Sequence, residues 1–303
     1  QSGGAAPDAS WVRWGGVVTR NSLLIGDALA SARALPSESV HCIVTSPPYW
    51  GLRSYLADDD PAKAAEMGAE PTLAEYVARM VALFRELRRV LRRDGVCWLN
   101  LGDSLSPGRS AGLAPKNLCL VPYRVAMALQ ADGWYLRSNI VWNKKNPMPE
   151  SVRDRPTSSH EAVFLLTREP RYWYDADAIR EAPTNTVPYF YPPGTSTKAR
   201  RDAGHPARYG SASAKGHGLR SIAPPAGGRN KRNVWTIATR PYSGSHYAVM
   251  PPALVEPCIL AGCPAKACAA CGAGWVRVVE RTKHPTRDIE AERMHSAEKT
   301  GRT

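Results

Sequence analysis

No stretch of the 303-residue chain is apolar for the length a bilayer-spanning helix needs, and no basic segment leading into an apolar core opens it. A membrane partner and a secretory leader are therefore not expected, and a cytoplasmic location is. Negative charge is scarce: 27 Asp and Glu stand against 40 Lys and Arg, a formal net charge of +13. The basic excess is concentrated in a few stretches, which points to a polyanionic partner. Cysteine is sparse and odd in number, and Cys42, Cys97 and Cys119 lie in apolar runs. That favours reduced thiols over a disulfide framework. A second C-x-x-C is missing after Cys268-Ala269-Ala270-Cys271-Gly272, so Cys268 and Cys271 are at most half of a tetrahedral zinc site. Cys258 and Cys263 are at hand, but the former falls within an expected helix. A redox role for the pair lacks a thioredoxin-like context; free thiols are the alternative.

What is present begins with Val40-His41-Cys42-Ile43-Val44-Thr45-Ser46-Pro47-Pro48-Tyr49-Trp50. Its first half is short, Val/Ile-rich and continuous, as in a strand buried in a parallel sheet. Two prolines cannot continue that strand, because they donate no ladder hydrogen bond. The chain therefore turns at a strand's carboxyl end, where open α/β sheets place their ligands. Ahead of it, Leu23–Asp27 reads as a strand end and Ala28–Leu35 as a short helix. Asp27 is either a cofactor contact or that helix's N-cap.

Residues 51–71 form a polar loop, and Thr72-Leu73-Ala74-Glu75 fits a capping box. Apolar residues at 73, 76, 77, 80, 81, 84, 87 and 91 follow the helical period, with Asp94-Gly95 as the expected stop. Val96–Asp103 is a second buried strand with a polar exit, Val121–Gln130 a helix, and Tyr135–Trp142 and Glu161–Thr167 two further strands. The alternation predicts an α/β sheet with an antiparallel edge. Residues 181–232 are rich in Pro, Gly, Ser and basic residues, and 233–261 recover apolar order, ending in a helix from Pro251-Pro252 to Ala261. Residues 1–13 are expected to be disordered. The division is thus a catalytic half over 14–180, a recognition region over 181–232, a connecting segment over 233–262 and a cysteine-containing insertion and tail over 263–303.

The turn carries the chemistry. An exocyclic amino group on a base is a poor nucleophile, because its lone pair is delocalised into the ring. A hydroxyl and a backbone carbonyl that accept its hydrogens localise that pair, and a proline-stiffened turn holds both in place. Aromatic rings beside it can stack on a base swung out of the duplex.

The tetrapeptide Ser46-Pro47-Pro48-Tyr49 resembles that of the site-specific DNA amino-methyltransferases, in the permuted class whose catalytic half precedes the cofactor half. The resemblance covers residues 20–262. It includes Leu24-Ile25-Gly26-Asp27, Asn146-Pro147-Met148-Pro149-Glu150-Ser151-Val152-Arg153-Asp154-Arg155-Pro156-Thr157, Ser159-His160-Glu161, Arg232-Asn233-Val234-Trp235 and His246-Tyr247-Ala248-Val249-Met250-Pro251. It implies a partial Rossmann-like, S-adenosylmethionine-dependent methyltransferase sheet with a loop-rich basic recognition insert. It implies double-stranded DNA as partner and cytosine N4 as acceptor, since an acidic residue in place of Ser46 is more usual for adenine N6. Ser46 and the Pro47 carbonyl, stiffened by Pro48, would then hold the amino group, and Tyr49 would stack on the base. Asp27, Ser245, His246 and Ala248 would face the cofactor. Trp50, Arg153, Arg155, Arg200, Arg201, Lys231 and Arg232 would face DNA. His160-Glu161 is read as a structural strand entrance. Such an enzyme also needs a strand followed by Phe-x-Gly-x-Gly, which is not found; the expectation is a chain truncated before its cofactor half and inactive alone. The alternatives are an adenine-N6 enzyme and an inert DNA-binding remnant.

Overall fold

The computed structural model describes residues 23–52, 54–182, 228–244, 249–268 and 270–275. The chain divides into Gln1–Pro264 and Ala265–Thr303. In the first unit α1 (Ala28–Ala34), β1 (Val40–Thr45), α2 (Leu73–Val90), β2 (Leu91–Leu101), α3 (Val121–Ala131), β3 (Tyr135–Lys144), β4 (His160–Thr167), β5 (Val234–Ile237) and α4 (Pro252–Gly262) follow in order. The strands form one sheet in the order β1-β2-β4-β3-β5. β1 runs parallel to β2, and β5 parallel to β3. β4 is antiparallel to both its neighbours. The antiparallel strand thus lies inside the sheet, with β2 on one side of it and β3, then β5, on the other.

Period-two alternation along the central strands supplies two cores. Cys97, Leu99, Leu101, Phe164 and Leu166 face α2 and α3, where Tyr76, Met80, Phe84, Val125 and Leu129 are fully buried. Val96, Trp98, Val163 and Leu165 face the other way, against Leu254, Cys258 and Ala261 of α4 and Trp235 of β5. β2 and β4 are covered on both sides, which accounts for their continuous apolar composition.

Two local expectations are corrected. Leu23–Asp27 forms no strand, and Leu23 and Ile25 are exposed. The second helix ends at Val90, not at Asp94-Gly95: Leu91 already pairs with Val40, and the register shifts before Cys42 meets Val96. Gly95 sits in that irregularity, where a Cβ would come within 2.8 Å of the His41 carbonyl oxygen. Arg88 and Arg89 lie in the last turn of α2. Arg89 donates to the carbonyls of Ala32 and Leu35, the last turn of α1. Thr72 does cap α2, accepting from Glu75 N–H at 3.2 Å. α3 begins at Leu120 in a left-handed conformation without a side-chain cap of its own. Asp103, from the polar exit of β2, accepts from Val121 N–H at 2.9 Å instead.

Among the described residues no helix is long and apolar enough to cross a membrane. In the second unit an antiparallel bridge joins Ala267 and Gly274. Cys268 N–H donates to Ala273 O and Gly272 N–H to Cys268 O, both at 2.8 Å, with Gly272 at φ +68°.

Gly262 ends α4 directly against the sheet, where a Cβ would lie 2.4 Å from Val96 Cγ2 and 2.9 Å from Cys42 Sγ. Gly262→Ala must push α4 off the sheet and is expected to cost about 1–3 kcal/mol. Urea unfolding of the variant beside the wild type measures it; an unchanged midpoint would count against this packing.

Candidate active site

The carboxyl ends of the parallel strands β1 and β2 bring Ser46 and Asn100 to one edge, and antiparallel β4 enters there with Glu161. Register dictates this meeting. Thr45 pairs with Leu99, and Asn100 and Leu101 pair with Val163 and Ala162. Residues Ser46–Tyr49 leave the strand without regular structure. Tyr76 of α2 donates its hydroxyl proton to the Pro48 carbonyl at 3.0 Å, so the turn is fixed through Pro48. The Tyr49 ring lies against Gly102, where a Cβ would come within 2.7 Å of it, so a larger residue there would displace the ring.

The Tyr49 hydroxyl is the node of the site. It donates to Glu161 Oε2 at 2.7 Å, with Asn100 Oδ1 at 3.1 Å. Ser46 Oγ donates to it at 3.1 Å. Asn100 Nδ2 donates to Glu161 Oε2 at 3.0 Å and to Ala162 O at 3.2 Å. Lys144, at the end of β3, forms an ion pair with Glu161 Oε1. Burial, then the Glu161 charge, pushes the Tyr49 hydroxyl well above its usual range, so it stays protonated and donating.

Loop 51–71 is latched onto this turn. Gly51 N–H donates to Gly68 O at 2.9 Å. Gly68, at φ +92°, approaches so closely that a Cβ would lie 3.0 Å from the Tyr49 carbonyl oxygen. Within the loop the Glu66 carboxylate accepts from Tyr55 N–H, from Leu56 N–H at 3.2 Å and from Ser54 Oγ at 3.2 Å, and pairs with Lys63 at 3.1 Å. Arg79 of α2 holds Glu70 at 3.2 Å. These bonds, the Tyr55 amide foremost, bring the Glu66 carboxyl down to about 2.

The expected site residues fare differently. Ser46, Pro47, Pro48 and Tyr49 stand together at the edge. Trp50 is corrected: it is 4% exposed, and its indole N–H donates to Glu70 O at 3.0 Å, so it anchors the loop to the core and cannot reach DNA. Asp27 caps α1, accepting from Ala30 N–H at 2.8 Å. Arg153 and Arg232 are exposed. Arg155 is paired with Glu150 at 2.8 Å. Lys231 is paired with Glu181 at 3.5 Å and sits 5.0 Å over the Trp235 ring. Ser245, His246, Ala248, Arg200 and Arg201 lie outside the described residues. Cys268 and Cys271 close one turn, and the Cys271 amide, then that of Ala270, draws the Cys268 thiol below its usual range. Among the described residues no three His, Cys, Asp or Glu side chains are grouped to hold a metal. Asn100 and Lys144 were not singled out from sequence, and Glu161 was read as structural; only the Ser-His-Glu resemblance drew notice to it.

A family model described as DNA methylase matches residues 40–267. The type II methyltransferase M.Cfr9I of Citrobacter freundii is 41% identical over 261 residues, 79% of this chain and 72% of that protein. M.SmaI of Serratia marcescens is 39% identical over 261 residues, 79% and 74% of the two chains. The solved PvuII DNA methyltransferase, titled cytosine-N4-specific, shares the fold at a TM-score of 0.50 and 16% identity, over 78% of this chain and 68% of that one.

The loop latch has a pH signature. Because the Glu66 pKa is lowered by folding, its contribution is complete above the unfolded value of about 4.3 and fades as pH falls through about 2. Glu66→Gln lacks the contribution at every pH. The gap in urea midpoint between wild type and variant is expected to narrow steadily from pH 5 towards the folded pKa of about 2; a gap independent of pH would remove Glu66 as the latch.

Proposed function

The chain belongs to the DNA methylase family, and from that premise we propose that it transfers a methyl group to the exocyclic N4 of cytosine in a base swung out of double-stranded DNA. S-adenosylmethionine is the methyl donor; bound, it supplies an electrophilic methyl on a sulfonium. Asp27, exposed at the start of α1 with one oxygen engaged by Ala30 N–H, keeps acceptor capacity for a ribose hydroxyl or an amine of that donor. The observation that carries the reading is the Ser46 hydroxyl, half-buried at the exit of β1 and bonded at 3.1 Å to an anchored tyrosine. Ser46 Oγ and the Pro47 carbonyl would accept the amino hydrogens and localise the lone pair on nitrogen, so that the amine could take the methyl as its bond to sulfur breaks, the sulfonium leaving as a neutral thioether and the surplus amino proton passing to water. Tyr49, tethered through its hydroxyl, offers its ring to the base.

Attack is direct, with no covalent enzyme intermediate. The thiol chemistry supports this. Burial pushes Cys42 up to about 12, and Cys97 and Cys258 higher still, so none is a ready thiolate. Ser46 rather than a carboxylate at the head of the turn favours cytosine over adenine N6. Arg153 and Arg232 are the exposed cations offered to phosphates, joined by Arg200 and Arg201 of the recognition region. The work is done on DNA in the cytoplasm, as one arm of restriction and modification.

Nucleoside analysis of DNA treated with the protein, expressed from its complete reading frame, is expected to show N4-methylcytosine. N6-methyladenine alone would overturn the choice of base. Ser46→Ala is expected to lower kcat about 10²–10³-fold, the scale of losing one preorganised polar contact. The Cys268–Cys271 turn is proposed as two ligands of a zinc site. Metal analysis of protein purified without chelator is expected to find zinc that Cys268→Ser removes, and zinc-free wild type would refute the site.

A further inference from the structure

The hydrogen bonds at the site have a direction, and that direction has a consequence for which bases the turn accepts. A carboxylate accepts and cannot donate, and a tyrosine hydroxyl has one proton to give. Asn100 is oriented by its own amide. Its Nδ2 faces two acceptors, Glu161 Oε2 at 3.0 Å and Ala162 O at 3.2 Å, so its Oδ1 is the atom turned to Tyr49. On this side Tyr49 therefore meets two acceptors, Glu161 Oε2 at 2.7 Å and Asn100 Oδ1 at 3.1 Å. Its proton is committed there. Its oxygen is then left to accept from Ser46 Oγ at 3.1 Å, which commits the single Ser46 proton in turn. What Ser46 presents to the pocket is lone pairs alone.

We propose that Glu161 is a positioning residue that polarises the chain Glu161–Tyr49–Ser46, making Ser46 an obligate acceptor and so selecting a base with an amino group over one with a keto oxygen at the same place. Lys144 holds the other carboxylate oxygen and keeps Oε2 aimed at Tyr49. Glu161 is only partly reachable by solvent, with a side-chain exposure of 13%, and its carboxylate is held by Tyr49, Asn100 and Lys144. Its influence passes through Tyr49. A keto oxygen facing Ser46 would set two acceptors against each other with no proton between them, and an unmatched buried polar contact is what gives such sites their discrimination. This rests on the reading of Ser46–Tyr49 as the base pocket, and it holds whether the acceptor is cytosine or adenine.

Binding of duplexes differing only in the target base separates this role from a structural one. The protein is titrated with its own modified site carrying cytosine or uracil, or adenine or hypoxanthine if adenine is the base modified. Each target stands opposite an abasic position, so that unpairing costs the same in both. Wild type is expected to prefer the amino base by about tenfold or more, which corresponds to one matched hydrogen bond. Glu161→Gln keeps a single acceptor oxygen, which Lys144 claims, and turns an amide N–H to Tyr49 in place of an acceptor, so the Tyr49 proton is no longer drawn away from Ser46; the preference is expected to fall at least about fivefold, while affinity for the keto duplex holds or improves. Tyr49→Phe breaks the middle link and should lower the preference likewise, and adding Glu161→Gln to it should do nothing further. Equal weakening of both duplexes by Glu161→Gln, or a preference unchanged in both variants, overturns the proposal and leaves the methyltransferase reading intact. A wild type that modifies no base in DNA overturns that reading instead, and this inference with it.

Discussion

The hydrogen bond between the Tyr49 hydroxyl and Glu161 Oε2, at 2.7 Å, joins the two halves of the site. Tyr49 belongs to the turn after β1 and Glu161 to the start of an antiparallel strand 112 residues later. The two can meet only because β2 lies between β1 and β4 and pairs with each in fixed register. A shift of one residue on either side would turn Asn100 or Glu161 to the opposite face of the sheet, since successive side chains alternate. The turn Ser46–Tyr49 thus inherits its precision from the sheet's ladder rather than from its own prolines alone.

Around that bond the structure separates stiffness from chemistry. Tyr76 holds the Pro48 carbonyl, Trp50 holds the Glu70 carbonyl, and Gly68 packs against Tyr49's backbone. None of these groups is offered to a ligand. They immobilise the segment that carries Ser46 and the Tyr49 ring, so that these two are held in place in advance. The loop that follows the turn is part of this frame: Glu66 gathers two backbone amides, a hydroxyl and Lys63 into one internal knot.

Among the described residues buried polar side chains are few, and their placement is informative. Asn100 is 1% exposed, one residue before the end of an apolar strand, a costly position unless its amide is matched. It is matched on both atoms, by Glu161 and Ala162 through nitrogen and by Tyr49 through oxygen. Asp103, two residues beyond the strand end, serves α3 in the same spirit, completing a helix start that Leu120 cannot cap. The polar exit of β2 therefore divides its labour between the site and the scaffold.

By itself the sequence determined the elements and the turn. Continuous apolar runs marked β1, β2 and β4, helical periodicity marked α2, and Ser46-Pro47-Pro48-Tyr49 marked a stiff exit at a strand end, because these signals are local. Tertiary structure alone decided the partners. Trp50 looked like a ring for a base, yet a core position and an indole bond to Glu70 claim it; burial depends on which faces meet, not on the neighbouring residues. Leu91 continued a helical stripe, yet pairing with Val40 drew it into β2, tertiary contact overriding periodicity. Arg89 ends α2 in sequence, yet it binds the end of α1. Glu161 looked like a strand entrance, which it is, and its second part as the acceptor that orders Tyr49 could not be read from any window of chain, because the distance that matters is set by strand order and register.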